Sequence, residues 1–193
     1  MTTRDGGTYT ARHVLVTVGS FAACFDLLPQ RPNIYVKNEL VTLAEVSAAD
    51  GVRLSRLPTL SYDIAGAPIA DVYMVPPVQF PDGRWYFKLG SNASSDRELT
   101  DLGAIQAWMR GDTQADSRDI AAQADLLRAL FPAVPFLSFT PKPCVIFRTP
   151  SRLPVVDQQH PRLAAILACN GTSAMSGDSI AADAVAALLR RLV

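Results

Sequence analysis

Two short, wholly apolar runs lie near opposite ends of this chain, and they constrain its fold more than any other feature. His13-Val14-Leu15-Val16-Thr17-Val18 closes at Gly19, and Leu163-Ala164-Ala165-Ile166-Leu167-Ala168-Cys169 runs into a loop of small residues. A strand with apolar side chains at successive positions suits burial on both faces, as in a parallel sheet flanked by helices. The pattern therefore predicts parallel pairing of the strand at 13–18 with the strand at about 164–168. After the second run comes Asn170-Gly171-Thr172-Ser173-Ala174-Met175-Ser176-Gly177. Asp178 or Ser179 then caps a helix that carries Ile180, Ala184, Leu188 and Leu192 on one face. Strand, small-residue loop and capped helix follow one another as in an α/β nucleotide-binding layer.

What lies between is of a different kind. Ile34-Tyr35-Val36, Leu40-Val41-Thr42-Leu43, Ala70 to Val75 and Trp85-Tyr86-Phe87-Lys88-Leu89 are β-rich. Turn signals at Asp50-Gly51, Gly66-Ala67-Pro68, Pro76-Pro77 and Pro81-Asp82-Gly83 separate them. The last should join an antiparallel pair, and Asp5-Gly6-Gly7 should close a hairpin at the start. Leu99, Leu102, Ile105, Trp108 and Met109 recur at helical spacing. So do Ile120, Ala124, Leu127 and Phe131, with Asp116 or Ser117 as cap and Pro132 as stop. β signal returns at Phe136 to Phe139 and at Cys144 to Arg148. The fold class is α/β (α+β): an antiparallel sheet with helices, inserted into a layer whose other strands are not in this chain.

Charge and cysteine content narrow the function. Lys plus Arg and Asp plus Glu both number 18, so the net charge is zero, and the basic residues form no run beyond Arg190-Arg191. That argues against a nucleic-acid or membrane-surface footprint. Half the residues are apolar (49%), enough for a sizeable core. Cys24, Cys144 and Cys169 fit neither a zinc pattern nor a disulfide framework, which favours a reduced, cytoplasmic setting. No metal site is expected. The polar start, Met1 to Gly7, is unlike a signal peptide, and no apolar run is long enough to span a bilayer.

The loop at 170–177 is the leading site candidate. Small residues allow close approach to the backbone, and the helix after it would aim free N–H groups at that space. The competing reading is an ordinary tight connection. A serine hydrolase would use Ser173 at a strand-to-helix elbow, but the second glycine of G-x-S-x-G is missing, and only His13 and His160 could act as base. Lys88 ends an aromatic strand, where a lysine is costly if buried and useful if it faces a polar pocket. It could equally be an edge lysine that discourages aggregation. Cys144 could be no more than a small buried hydrophobe. Neither G-x-G-x-x-G nor G-x-x-x-x-G-K occurs.

Taken in order, four segments resemble the D-amino-acid-oxidase-like FAD-dependent oxidoreductases, specifically the carboxyl-terminal half of the sarcosine oxidase and glycine oxidase branch. Val14 to Phe21 resembles that family's strand ending in a Gly-Ala-Trp-type turn near the cofactor. Phe87-Lys88-Leu89-Gly90-Ser91-Asn92 resembles its Lys-x-Gly strand over the flavin ring. Cys144 to Asp157, with Thr149-Pro150 and Pro154-Val155-Val156-Asp157, resembles its Cys-aromatic-Thr-Pro-Asp segment. Ala168 to Met175 and the last helix resemble its terminal glycine-rich loop.

The resemblance implies a partial FAD-binding, Rossmann-like layer at 1–30 and 155–193 and an antiparallel-sheet substrate domain at 31–154. It implies hydride removal from the carbon beside an amine of a small amine or amino acid. Gly19 would line the phosphate side of the cofactor. Lys88 and Asn92 would act at the reacting centre, Lys88 assisting the reaction with oxygen. Cys144 matches a position that carries a covalent flavin link in some members. Asn170, Gly171, Thr172, Ser173, Ala174 and Met175 would wrap the pyrimidine edge. Met175 stands where a lysine is common and Asn92 where a histidine is common. The half with the G-x-G-x-x-G turn is missing, so FAD is expected to be held only when another polypeptide supplies that half. The alternatives are a non-catalytic interaction subunit and an inactive remnant.

Overall fold

The computed structural model describes residues 1–64 and 68–167, together with 182, 183, 185 and 186, which are helical. The chain divides into two compact units, Met1–Val36 with Ile146–Val193, and Lys37–Val145.

Among the described residues, the first unit is built on three strands. β1 (Val14–Val16) pairs parallel with β8 (Leu163–Leu167), Val14 opposite Leu163 and Val16 opposite Ala165. β7 (Val155–His160) pairs antiparallel on the other side of β8. The parallel pairing is the one the two apolar runs predict. Burial differs between them. Ala164 to Leu167 are buried, whereas Val14 and Leu15 are each 39% exposed. β1 is a three-residue edge strand in the order β1-β8-β7, so the expected two-faced burial holds for the central strand alone. Val16, Leu28 and Ala165 form this unit's small core. Gln30 and Gln159 tie the 24–34 loop to β7: Gln30 N–H donates to Gln159 Oε1 and Gln159 Nε2 donates to the Gln30 carbonyl, each at 2.8 Å. At the start, Thr2 bridges Thr8 around Gly6 (φ 87°), the expected hairpin.

The second unit is a five-stranded sheet in the order β3-β4-β5-β2-β6. Its strands are β2 (Tyr35–Val46), β3 (Leu60–Tyr62), β4 (Ile69–Gln79), β5 (Trp85–Ala93) and β6 (Ser138–Arg148). Pro81-Asp82-Gly83 joins β4 to β5, with Gly83 at φ 81° and Phe80 N–H donating to the Arg84 carbonyl at 2.9 Å. β2 joins the two expected short runs into one central strand, buried almost from end to end although it carries Lys37, Asn38, Glu39 and Thr42.

Three helices accompany the sheet: α1 (Ala48–Leu54), α2 (Leu102–Arg110) and α3 (Ser117–Leu130). Asp116 caps α3 by accepting from the Arg118 N–H at 2.8 Å. Leu54 of α1 and Leu127 of α3 join Ala44, Val46, Val72, Met74, Phe87 and Leu89 in the main core on one sheet face. Phe87 meets Phe131 there with ring centroids 4.8 Å apart.

Two expected turns are not turns. Asp50-Gly51 lies inside α1, whose cap is Ser47, and a Cβ at Gly51 would collide with the Trp85 indole. The glycine serves close packing of helix on strand rather than chain reversal. Pro76-Pro77 lies inside β4 at a register shift between Val75 and Val78. A bulge removes the need for ladder donors that proline lacks. The Gly66-Ala67-Pro68 signal falls partly outside the described residues.

Candidate functional site

Alternation along β5 puts Lys88, Gly90 and Asn92 on one sheet face and Phe87, Leu89 and Ser91 on the other. The second set faces the main core. The first lies opposite Leu43, Val41 and Ala70: Lys88 pairs with Leu43, Gly90 with Val41, and Asn92 with Ala70. On the same face Val41, Leu43 and Tyr86 form a second apolar cluster, packed by Phe80 and Cys144. The Cys144 carbonyl accepts from Trp108 Nε1 at 2.7 Å, which ties α2 to β6. Lys88 and Cys144 therefore share a face, away from the helix-covered core.

Lys88 is partly buried, and its Nζ stands 5.4 Å from the centroid of the Tyr73 ring. Among the described residues no carboxylate pairs with it. Lys37, on β2, is bound differently: its ammonium forms an ion pair with Asp96 and donates to Asn92 Oδ1 at 2.8 Å. Asn92 in turn donates to Asp71, an exposed residue at φ 46°. Asn92 thus has both ends of its amide engaged in a polar ladder from Lys37 to Asp71.

Electrostatics link the members of this face. Burial pushes the Cys144 thiol up, the charge of buried Glu39 adds to this, and Lys88 opposes it. The Tyr73 phenol is raised strongly, first by burial, then by Glu39 and Cys144. Both groups are therefore neutral at pH 7.

Gly19 belongs to the other unit. It opens a 3-10 turn, Gly19–Ala23, at φ 56°, with open space where a Cβ would stand. Asn170, Gly171, Thr172, Ser173, Ala174 and Met175 lie outside the described residues, as does the capped helix start at Asp178 or Ser179. With them goes the hydrolase reading's Ser173; of its two histidines, His160 accepts from the Arg162 N–H at 3.1 Å in the β7–β8 turn. Among the described residues no group of three or more metal-ligating side chains occurs, and no helix is long and apolar enough to cross a membrane.

Sequence reasoning passed over Tyr73, Glu39 and Gly90 as site residues. Gly90 carried the signal, because an isolated glycine inside an aromatic strand marks a close approach. The approaching group is the Tyr73 ring, which occupies the space of a Cβ at 90.

Solved structures share this fold. Fructosyl amine: oxygen oxidoreductase (Amadoriase I) from Aspergillus fumigatus matches all of this chain with a TM-score of 0.62 at 17% identity, over 43% of its own length. Fructosyl peptide oxidase from E. terrenum matches all of it with a TM-score of 0.60 at 16% identity, over 45% of its own length. The chain thus spans less than half of each of these proteins. No protein-family model and no curated protein matches the sequence.

Proposed function

We propose that this chain is the carboxyl-terminal part of an FAD-dependent oxidoreductase that oxidises a small amine or amino acid. One observation carries the reading: Lys88 is partly buried on the sheet face opposite the main core, beside Cys144 and without an ion-paired carboxylate among the described residues. The fold likeness to two enzymes named as a fructosyl amine:oxygen oxidoreductase and a fructosyl peptide oxidase supports it.

The residues present fit a flavin ring. A fixed cation with hydrogen-bond donors suits the electron-rich edge of a reduced ring, and its neighbours Tyr73 and Cys144 are themselves neutral. A flavin held there would supply the hydride acceptor for substrate oxidation and the electron donor to oxygen. Lys88 stabilises the negative charge that grows on oxygen as it is reduced. The pyrophosphate itself needs a G-x-G-x-x-G turn leading into a helix N-terminus, and that sequence does not occur in these 193 residues, so the partner is a polypeptide segment that brings it.

A second reading, a non-catalytic interaction subunit, draws on one feature. β1 leaves Val14 and Leu15 exposed at a sheet edge, and Phe21 and Phe25 are exposed nearby in the chain (39% and 42%).

Co-expression with a G-x-G-x-x-G-bearing half separates the readings. The assembled protein should purify yellow and bleach when an amine substrate is added without oxygen. The 193 residues alone should be colourless. A colourless assembly would contradict the oxidoreductase reading, and stoichiometric flavin on the chain alone would contradict the need for the partner segment.

A further inference from the structure

We propose that Tyr73, seated on Gly90, is the positioning residue that holds the Lys88 ammonium in place. The functional half of this inference rests on the oxidoreductase reading; the geometric half does not.

Three residues form the arrangement. β4 and β5 pair antiparallel with Tyr73 directly opposite Gly90 and Val75 opposite Lys88. Tyr73 and Lys88 are therefore diagonal neighbours on one face, within reach for long side chains. The Tyr73 ring lies across the Gly90 backbone, in the space any Cβ at 90 would occupy. From there its face meets the Lys88 ammonium at 5.4 Å. Only glycine at 90 lets the ring lie this low.

The chemistry explains why a ring is used rather than an acid. A lysine stem is flexible, so an untethered ammonium would spread over many rotamers. A carboxylate would fix it but cancel its charge, as Asp96 does for Lys37. An aromatic face attracts the cation through its quadrupole and carries no net charge. The ring itself cancels none of the ammonium's charge and leaves its hydrogen-bond donors for whatever anion forms beside it. Burial keeps the Tyr73 phenol protonated, so the ring stays neutral across the working pH range.

The chain suits a direct test, because it holds three lysines, Lys37, Lys88 and Lys142. Reductive methylation with ¹³C-formaldehyde gives one resolvable signal for each, and Lys88→Arg assigns the signal of Lys88. In the 193-residue chain the Lys88 signal should be shifted upfield by the ring current. Tyr73→Phe should keep the shift; Tyr73→Leu should abolish it; Gly90→Ala should reduce or abolish it with residues 73 and 88 unchanged. If Gly90→Ala does not fold, the two Tyr73 variants carry the comparison alone. An unshifted signal in the parent chain, or a shift that survives Tyr73→Leu, would overturn the proposal. In the flavin-loaded assembly, Tyr73→Leu should slow the oxygen half-reaction roughly tenfold, about one cation–π contact, and slow it more than substrate oxidation. Tyr73→Phe should restore the parent rate. If Tyr73→Leu and Tyr73→Phe react with oxygen equally fast, the positioning role is overturned. If Lys88→Met also leaves that rate unchanged, the oxidoreductase reading of Lys88 fails, while the NMR shift still reports the tether.

Discussion

Gln123 Nε2 donates to Ser91 Oγ at 2.8 Å in the buried seam between α3 and β5. The same amide donates to the Leu40 carbonyl at 3.0 Å, and its Oε1 accepts from Thr42 Oγ1 at 2.5 Å. One fully buried side chain thus ties α3 to both central strands. Gln123→Leu would leave the Thr42 and Ser91 hydroxyls buried without this partner. An unsatisfied buried group costs about 1–3 kcal/mol, so the variant should lose roughly 2–4 kcal/mol. Urea unfolding measures this, and an unchanged midpoint would show that the seam tolerates an apolar replacement.

Gly51→Ala reverses the usual sign. In an exposed helix this change gains about 1 kcal/mol. Here the new methyl would enter the Trp85 indole, so overpacking should cost about 1–3 kcal/mol. Thermal unfolding of Gly51→Ala and of the double variant with Trp85→Leu is the check. The double variant should recover part of the loss that Gly51→Ala causes.

Asp63 and Asp71 make stability depend on pH in the less familiar direction. A hydrogen bond that the protonated Asp63 carboxyl donates to Asp71, then the Asp71 charge, raises Asp63 above its ordinary 3.8. With the folded value above the unfolded one, the protonated form is favoured by folding. The contribution of this pair is therefore fully present below 3.8 and is lost as pH rises through the raised value. Asp63→Asn should flatten the stability profile across that window in denaturant titrations at a series of pH values. A profile unchanged by the substitution would assign the slope to other groups.

Cys144 reports on Lys88 without any cofactor. Lys88 is the neighbour that pulls the thiol down against burial and Glu39. Lys88→Met should raise the Cys144 value further and slow its alkylation at fixed pH. Cys24→Ser and Cys169→Ser leave it the single thiol for kinetics. A rate that does not respond to Lys88→Met would place the ammonium too far from the sulfur to matter.

The legible parts of this fold were those with local causes. The parallel β1–β8 pair follows from two uninterrupted apolar runs, the β4–β5 turn from Pro81-Asp82-Gly83, and the α3 start from Asp116. Asp50-Gly51 and Pro76-Pro77 misled because each is a turn signal in isolation, and tertiary packing decided otherwise. The first is a helix glycine under an indole; the second rides a bulge. In the site, the i, i+2 spacing of Lys88, Gly90 and Asn92 places all three on one face. Tyr73 could not be found the same way, because its partner lies on another strand and the register is set by the bulges in β4.

The account stands on Lys88, and stopped flow on the flavin-loaded assembly tests it most directly. Lys88→Met removes the charge and keeps much of the stem. Loss of one preorganised electrostatic group costs about 10²–10³ in rate. Oxidation of the reduced assembly by oxygen should slow by roughly that factor, while anaerobic reduction by the amine stays near the parent rate. Equal slowing of both steps, or slowing of neither, would contradict the account.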